Sequence, residues 1–168
     1  MMLFKRLIEP GNIPVHRKKI TILSPLSGKI STLDSLANEI FKQRLFGEGI
    51  VIAPSGYQVF APFAAKVEHF PTTAQQIRLR AKNGLQLLIQ LGIGSENMLA
   101  EGFKAKVKVG QWVAQGQVLM EFDLRIMKQK LDSVLCPVTV LNSDKLIGIE
   151  AHCHQVIATQ DNCMTLYI

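Results

Sequence analysis

A chain of 168 residues fits one domain and leaves little room for two. Hydrophobic residues make up 48% and charged residues 19%, which excludes a disordered chain and allows a substantial core. The net charge is +6 but forms no arginine-rich block or basic–aromatic run, so nucleic acid is not an expected partner.

The first eight residues read as a short amphipathic segment, with Leu3, Phe4, Leu7 and Ile8 on one helical face and Lys5 and Arg6 on the other. Pro10 and Gly11 end it, and residues 12–19 read as a basic, turn-rich linker. The expected division is therefore a segment and linker over 1–19 and a domain over 20–168. From Ile20 onward, short β-branched and aliphatic runs alternate with Gly, Pro and Asn turn signals. Runs at 20–23, 49–53, 59–61, 65–70, 77–80, 85–91, 107–109, 112–113, 118–122, 138–141 and 164–168 are the predicted strands. Turns at intervals of about 8–12 residues are the spacing of a β-sandwich or barrel. Helical patterning is weak and confined to 33–46 and 124–131. Cys136, Cys153 and Cys163 are odd in number and make no CxxC pair, so a reduced, cytoplasmic protein is expected. No run approaches the roughly 18 apolar residues that span a bilayer, and the N-terminus lacks the pattern of a signal peptide.

One strand pair carries most of the chemistry. In residues 85–91, Leu85, Leu87, Ile89 and Leu91 share one face, while Gln86, Leu88 and Gln90 share the other. In the preceding run, Gln75, Ile77, Leu79 and Ala81 alternate with Gln76, Arg78, Arg80 and Lys82. Asn83-Gly84 between two alternating runs is a hairpin signal. Basic residues at every second position predict a strongly positive outer face.

An ordered set of short motifs extends over residues 20–168. It comprises Pro25-Leu26-Ser27-Gly28, Gly47-Glu48-Gly49-Ile50, Pro54-Ser55-Gly56, Ala61-Pro62, Gly84-Leu85-Gln86-Leu87, Leu91-Gly92-Ile93, Glu101-Gly102-Phe103, Gly110-Gln111, Gly116, Glu121-Phe122-Asp123-Leu124, Cys136-Pro137-Val138 and Asn142. In order and spacing this set resembles the glucose-type enzyme IIA of the bacterial phosphoenolpyruvate-dependent sugar phosphotransferase system. The resemblance implies an all-β protein, an antiparallel β-sandwich with one or two short helical turns and a shallow active-site depression.

It also implies a phosphoryl relay, in which one histidine takes the group from a phosphocarrier protein and passes it to a sugar-transporting IIB domain. That histidine lies just before the turn matched by Leu91-Gly92-Ile93, and its counterpart is Gln90. Counting back from Gly84 matches the assisting histidine to Gln75, and Thr73 to a supporting hydroxyl residue. Gly94 stands where an acidic residue is expected, and Arg80 and Lys82 stand where acidic or polar residues are usual. An imidazole offers a nitrogen lone pair at neutral pH, whereas an amide nitrogen's lone pair is delocalised. Gln90 is therefore expected not to accept phosphate, and the zinc coordination of a histidine pair is lost with it. Positive charge at Arg80 and Lys82 would also oppose a basic phosphocarrier.

Phe41, Leu45, Phe46, Ile77 and Leu88 match positions that form an apolar rim around the family's site, which points to protein binding. The N-terminal segment matches a helix that tethers family members to anionic lipid, so peripheral contact with the inner face of the plasma membrane is expected through residues 1–8. The leading expectation is a catalytically silent IIA-like module that regulates or scaffolds a transporter, a IIB domain or a metabolic enzyme, with no cofactor. One alternative is an active phosphocarrier using another histidine, His69 first. Another is a zinc-binding or hydrolytic protein using His152 and His154, which alternation places on one strand face. Zinc peptidases of distantly similar fold also need an earlier His-x-x-x-Asp, and neither His16 nor His69 has Asp four residues on.

Overall fold

Short aliphatic runs between Gly- and Pro-bearing turns become fourteen strands among residues 6–168, the part of the chain that this computed structural model describes. They are β1 (Lys19–Leu23), β2 (Ser27–Thr32), β3 (Glu48–Ser55), β4 (Gln58–Phe60), β5 (Ala65–His69), β6 (Gln76–Arg80), β7 (Gln86–Gln90), β8 (Phe103–Ala105), β9 (Trp112–Val113), β10 (Val118–Phe122), β11 (Cys136–Val140), β12 (Gly148–Ala151), β13 (Gln155–Val156) and β14 (Asn162–Tyr167). Two short helices, α1 (Glu39–Lys42) and α2 (Leu124–Lys130), lie where helical patterning is weak but present. Every pairing among these fourteen strands is antiparallel.

One eight-stranded sheet runs in the order β13-β2-β3-β11-β7-β6-β5-β9, and two three-stranded sheets have the orders β1-β14-β12 and β4-β10-β8. The main core takes Ile30, Ile52, Val138, Leu87, Ile89, Ile77, Leu79 and Val67 from one face of the large sheet. Ile22, Met164 and Leu166 from one small sheet and Val59, Leu119 and Phe122 from the other join the same cluster. The result is the predicted antiparallel β-sandwich.

The β6–β7 hairpin follows the alternation rule. Ala81 N donates to Leu85 O at 2.9 Å, leaving residues 82–84 as a three-residue loop, and Gly84 closes it at φ 93°. A left-handed residue at the end of such a loop is the usual geometry, and glycine adopts it without a Cβ penalty.

The outer face of the large sheet is covered in part by residues 33–46. Asn38 caps α1 by accepting from Phe41 N at 3.2 Å, and Phe41 packs with Leu33, Leu36, Val51 and Leu88 in a second, smaller core. A buried arginine latches this segment down. Arg44 Nη1 donates to Asp34 at 2.8 Å and Arg44 Nε to Glu48 at 3.2 Å, while Glu48 N donates to Ser143 Oγ at 2.9 Å. Burial works against the Arg44 charge, but Asp34 and Glu48 outweigh it and hold its pKa above the ordinary value.

The N-terminal expectation needs correction. Residues 6–8 are extended: Ile8 N donates to Ile149 O, and Ile149 N to Arg6 O, each at 2.8 Å. Gly148 makes room for this approach, since a Cβ there would sit 2.5 Å from Ile8 Cδ1. Leu7 and Ile8 are thus half-buried along β12, where strand pairing satisfies backbone groups that a single helical turn would leave open. Leu3, Phe4 and Lys5 lie outside the described residues. Among the described residues, no helix is long and apolar enough to cross a membrane.

Candidate functional site

Register decides which glutamine meets Gln90. In the β6–β7 ladder Gln76 stands opposite Gln90, Arg78 opposite Leu88 and Arg80 opposite Gln86, so all six share the outer face. Gln76 Nε2 donates to Gln90 Oε1 at 3.0 Å. Gln90 Nε2 in turn donates to the Gly92 carbonyl at 3.0 Å. Gln90 is only 9% exposed, and its side chain is held at both ends. Gly92 turns the chain away from β7 at φ 73°, and a Cβ there would come within 2.7 Å of Leu131 Cδ1.

Gln75, the counted match for the assisting histidine, lies just before β6, where its carbonyl accepts from Leu91 N at 2.8 Å. Its Oε1 is buried without a hydrogen-bond partner. The side chain bonded to Gln90 is thus that of Gln76, which stands opposite it in the ladder and shares its face. Thr73 lies in the turn that precedes β6, which Ala74 N closes by donating to Pro71 O at 2.9 Å. Beside the turn after β7, Leu36, Asn38, Ile93 and Asp132 line a shallow cavity of about 350 Å³.

The expected apolar rim is mostly interior. Ile77 belongs to the main core, and Phe41 and Leu88 are buried in the second core by residues 33–46. Leu45 is 54% exposed, and Phe46 is half-buried with its ring 5.3 Å from that of Phe41. These two alone remain of the predicted rim. The segment that folds over the sheet takes Phe41 and Leu88 into its own packing, and Ile77 fills the main core on the opposite face.

His69 is exposed at the end of β5, across from Arg78 and next to an irregularity in the ladder. His152 and His154 fall in the connection between β12 and β13 and not within a strand. Both His152 ring nitrogens are engaged, Nδ1 at 3.2 Å from Asn162 O and Nε2 at 2.9 Å from Thr165 Oγ1. The two imidazoles stack with centroids 6.3 Å apart. Among the described residues, no group of three or more His, Cys, Asp or Glu side chains is placed to hold a metal ion.

Cys136 lies on β11, two strands from Gln76 and one from Gln90. Full burial pushes its thiol up to about 12, against a weaker opposing hydrogen bond at Gly92. It is therefore a protonated thiol at neutral pH and no thiolate nucleophile. Sequence reading missed two features of this region. Arg78 carries its guanidinium 5.7 Å from the Phe46 ring centre with a buried Nε, and the Arg44 latch fixes the covering segment. Arg44 and Glu48 are four residues apart but share no helix, since Arg44 is left-handed at φ 60° and Glu48 opens β3, so no local spacing rule signals the latch.

Comparison with known proteins places this geometry. Residues 20–146 match the family model for the phosphoenolpyruvate-dependent sugar phosphotransferase system, EIIA 1. The chain is 32% identical over 148 residues to the PTS system glucose-specific EIIA component of Bacillus cereus, covering 88% of each chain. It is 31% identical over 142 residues to that of Borreliella burgdorferi, covering 83% of this chain and 75% of the relative. The solved structure of glucose permease IIA from Mycoplasma capricolum superposes with a TM-score of 0.81 at 26% identity, over 89% of this chain and 96% of that one. With its antiparallel sandwich and with the family match spanning the hairpin that presents Gln76 and Gln90, the chain belongs to the EIIA 1 family of the phosphoenolpyruvate-dependent sugar phosphotransferase system.

Proposed function

We infer that this chain is an EIIA domain that carries no phosphate and works as a regulatory or scaffolding module for a protein partner. One observation carries the reading: an amide, Gln90, occupies the matched phosphoacceptor position, with its oxygen accepting from Gln76 and its nitrogen donating to Gly92. A phosphoryl acceptor needs a free lone pair of adequate basicity, and a hydrogen-bonded amide nitrogen has none. Gln75 and Gln76 are both amides, so the conclusion does not depend on which of them matches the assisting histidine. Thr73 then has no transfer site to support. Cys136 cannot substitute, because burial keeps it protonated.

The partner is a protein such as a IIB domain, a transporter or a metabolic enzyme, met at the exposed Leu45 and half-buried Phe46. The domain acts in the cytoplasm. Any peripheral membrane contact falls to residues 1–5, since Leu7 and Ile8 are committed to β12.

The test is incubation with phosphoenolpyruvate carrying labelled phosphate and the upstream phosphotransfer proteins. The chain is expected to stay unlabelled. Stoichiometric acid-labile label on the unaltered chain overturns the reading, and its loss in His69→Ala would assign the acceptor to His69. Gln90→His, alone and combined with Gln75→His or Gln76→His, asks whether an imidazole is the missing element.

A further inference from the structure

Residues scattered through the sequence meet on the uncovered part of the large sheet. Cross-strand pairing lines up Trp112, Lys66, Arg80 and Gln86 in one row across β9, β5, β6 and β7. Directly opposed residues of an antiparallel ladder share a face. The adjoining row carries Arg78, beside Leu88. Lys82, from the hairpin loop, places Nζ 5.8 Å from the Trp112 ring centre. Residues 33–46 pack over Leu88 and Val51, whereas Lys66, Arg80, Lys82 and Trp112 are exposed, with Trp112 at 53%. Four cations thus stand on this strip, and the carboxylate seen among them is Glu68, 3.1 Å from Arg80 Nε.

We propose that this strip is a docking surface for an acidic segment of a partner protein, one that presents carboxylates together with an apolar side chain. The proposal rests on the reading of the chain as a binding module and names the chemistry of its partner. Charge complementarity selects the sign: a strip with a positive excess attracts carboxylates and repels a basic surface. Aromatic geometry selects the class. Single-stranded nucleic acid binds by stacking successive bases on aromatic rings, yet this strip has a single exposed ring, Trp112, and Phe46 is half-buried. Carboxylates can pair with Lys66, Arg80 and Lys82, and Arg78 Nε is a buried donor lacking a partner. The apolar side chain would lie against Trp112 or the exposed Leu45.

The test uses the full chain, isotopically labelled and titrated at fixed low salt with a short synthetic peptide of Glu and Leu carrying one Phe. Amide shifts are expected in β5, β6 and β9. Arg78→Glu with Arg80→Glu should weaken binding by about tenfold or more. The exposed pair Lys66→Glu with Lys82→Glu serves the same purpose should the first pair fail to fold. Arg125→Glu with Lys128→Glu, an equal charge change on α2, should alter binding by less than about twofold. The proposal falls if no binding is seen, if the Gln version of the peptide binds equally well, or if the α2 variant loses as much. It also falls if oligo-dT binds more tightly than the peptide at the same salt, which would assign the strip to nucleic acid. No phosphotransfer protein enters this titration. Its failure therefore leaves the labelling result standing, and label on the chain would leave the docking result standing.

Discussion

On the inner face of the β6–β7 hairpin, Ile77, Leu79, Leu87 and Ile89 are at most 1% exposed and belong to one continuous core. On the outer face of the same two strands stand Gln76, Arg78, Arg80, Gln86 and Gln90, linked to one another and to their neighbours by polar contacts. The backbone is shared, but the constraints are not. Inner side chains must fill volume, and any truncation opens a cavity. Apart from Leu88, which is buried under residues 33–46, the outer side chains need only satisfy hydrogen bonds and charge, so their chemistry can change while the fold stays. A family fold matched at about one-third identity can thus be kept while the polar residues of its outer face differ.

Truncation inside should break that contrast most severely. Leu87→Ala is expected to cost about 2–5 kcal/mol, from lost transfer free energy and an unfilled cavity. Chemical denaturation with the slope held constant would measure it. A loss no larger than that of an outer-face variant would show that the two faces are equally tolerant.

A second difference lies in alkaline pH. Cys136 and Cys163, both in the main core, have thiols pushed up to about 12 by burial, while the unfolded chain releases these protons near 9.0. Between those values the unfolded state binds fewer protons than the folded one, so stability falls as pH rises and is unaffected by these thiols below about 9. The slope is about 1.4 kcal/mol per pH unit for each thiol. Denaturation series above pH 9 should show that Cys163→Ala removes about half of the thiol-dependent slope. An unchanged slope would mean that the thiols are not the cause.

The smallest effect is expected at the amide pair itself. Gln76→Ala and Gln90→Ala should each cost about 1 kcal/mol, and a double-mutant cycle should recover a coupling of similar size for their mutual hydrogen bond. Zero coupling would mean that the bond at 3.0 Å does not persist in solution.

Much of this was legible in the amino-acid sequence because a strand repeats every two residues. Alternation in 85–91 placed Leu87 and Ile89 inward and Gln90 outward, and Asn83-Gly84 marked the reversal. The same alternation grouped Gln76 with Arg78 and Arg80. Counting from a family turn matched Gln75 to the assisting position, but such a match does not say which side chain hydrogen-bonds Gln90; cross-strand register gives that contact to Gln76. The ordered Gly, Pro and Asn motifs identified the fold, since each marks a backbone reversal that few other residues allow.

Tertiary structure alone decided what covers each face. Phe41 and Leu88 read as rim but are interior, because residues 33–46 fold back over the sheet and are pinned by Arg44 between Asp34 and Glu48, while Ile77 is interior because it points to the main core on the opposite face. Leu7 and Ile8 read as one side of a helix but pair along β12, where Gly148 leaves them space. No basic–aromatic run exists in the sequence, yet sheet pairing brings Lys66, Arg80 and Trp112 into one row. Local pattern fixes the direction of a side chain relative to its own strand. Its neighbours are set by contacts between segments far apart along the chain, whose packing energy no short stretch of sequence contains.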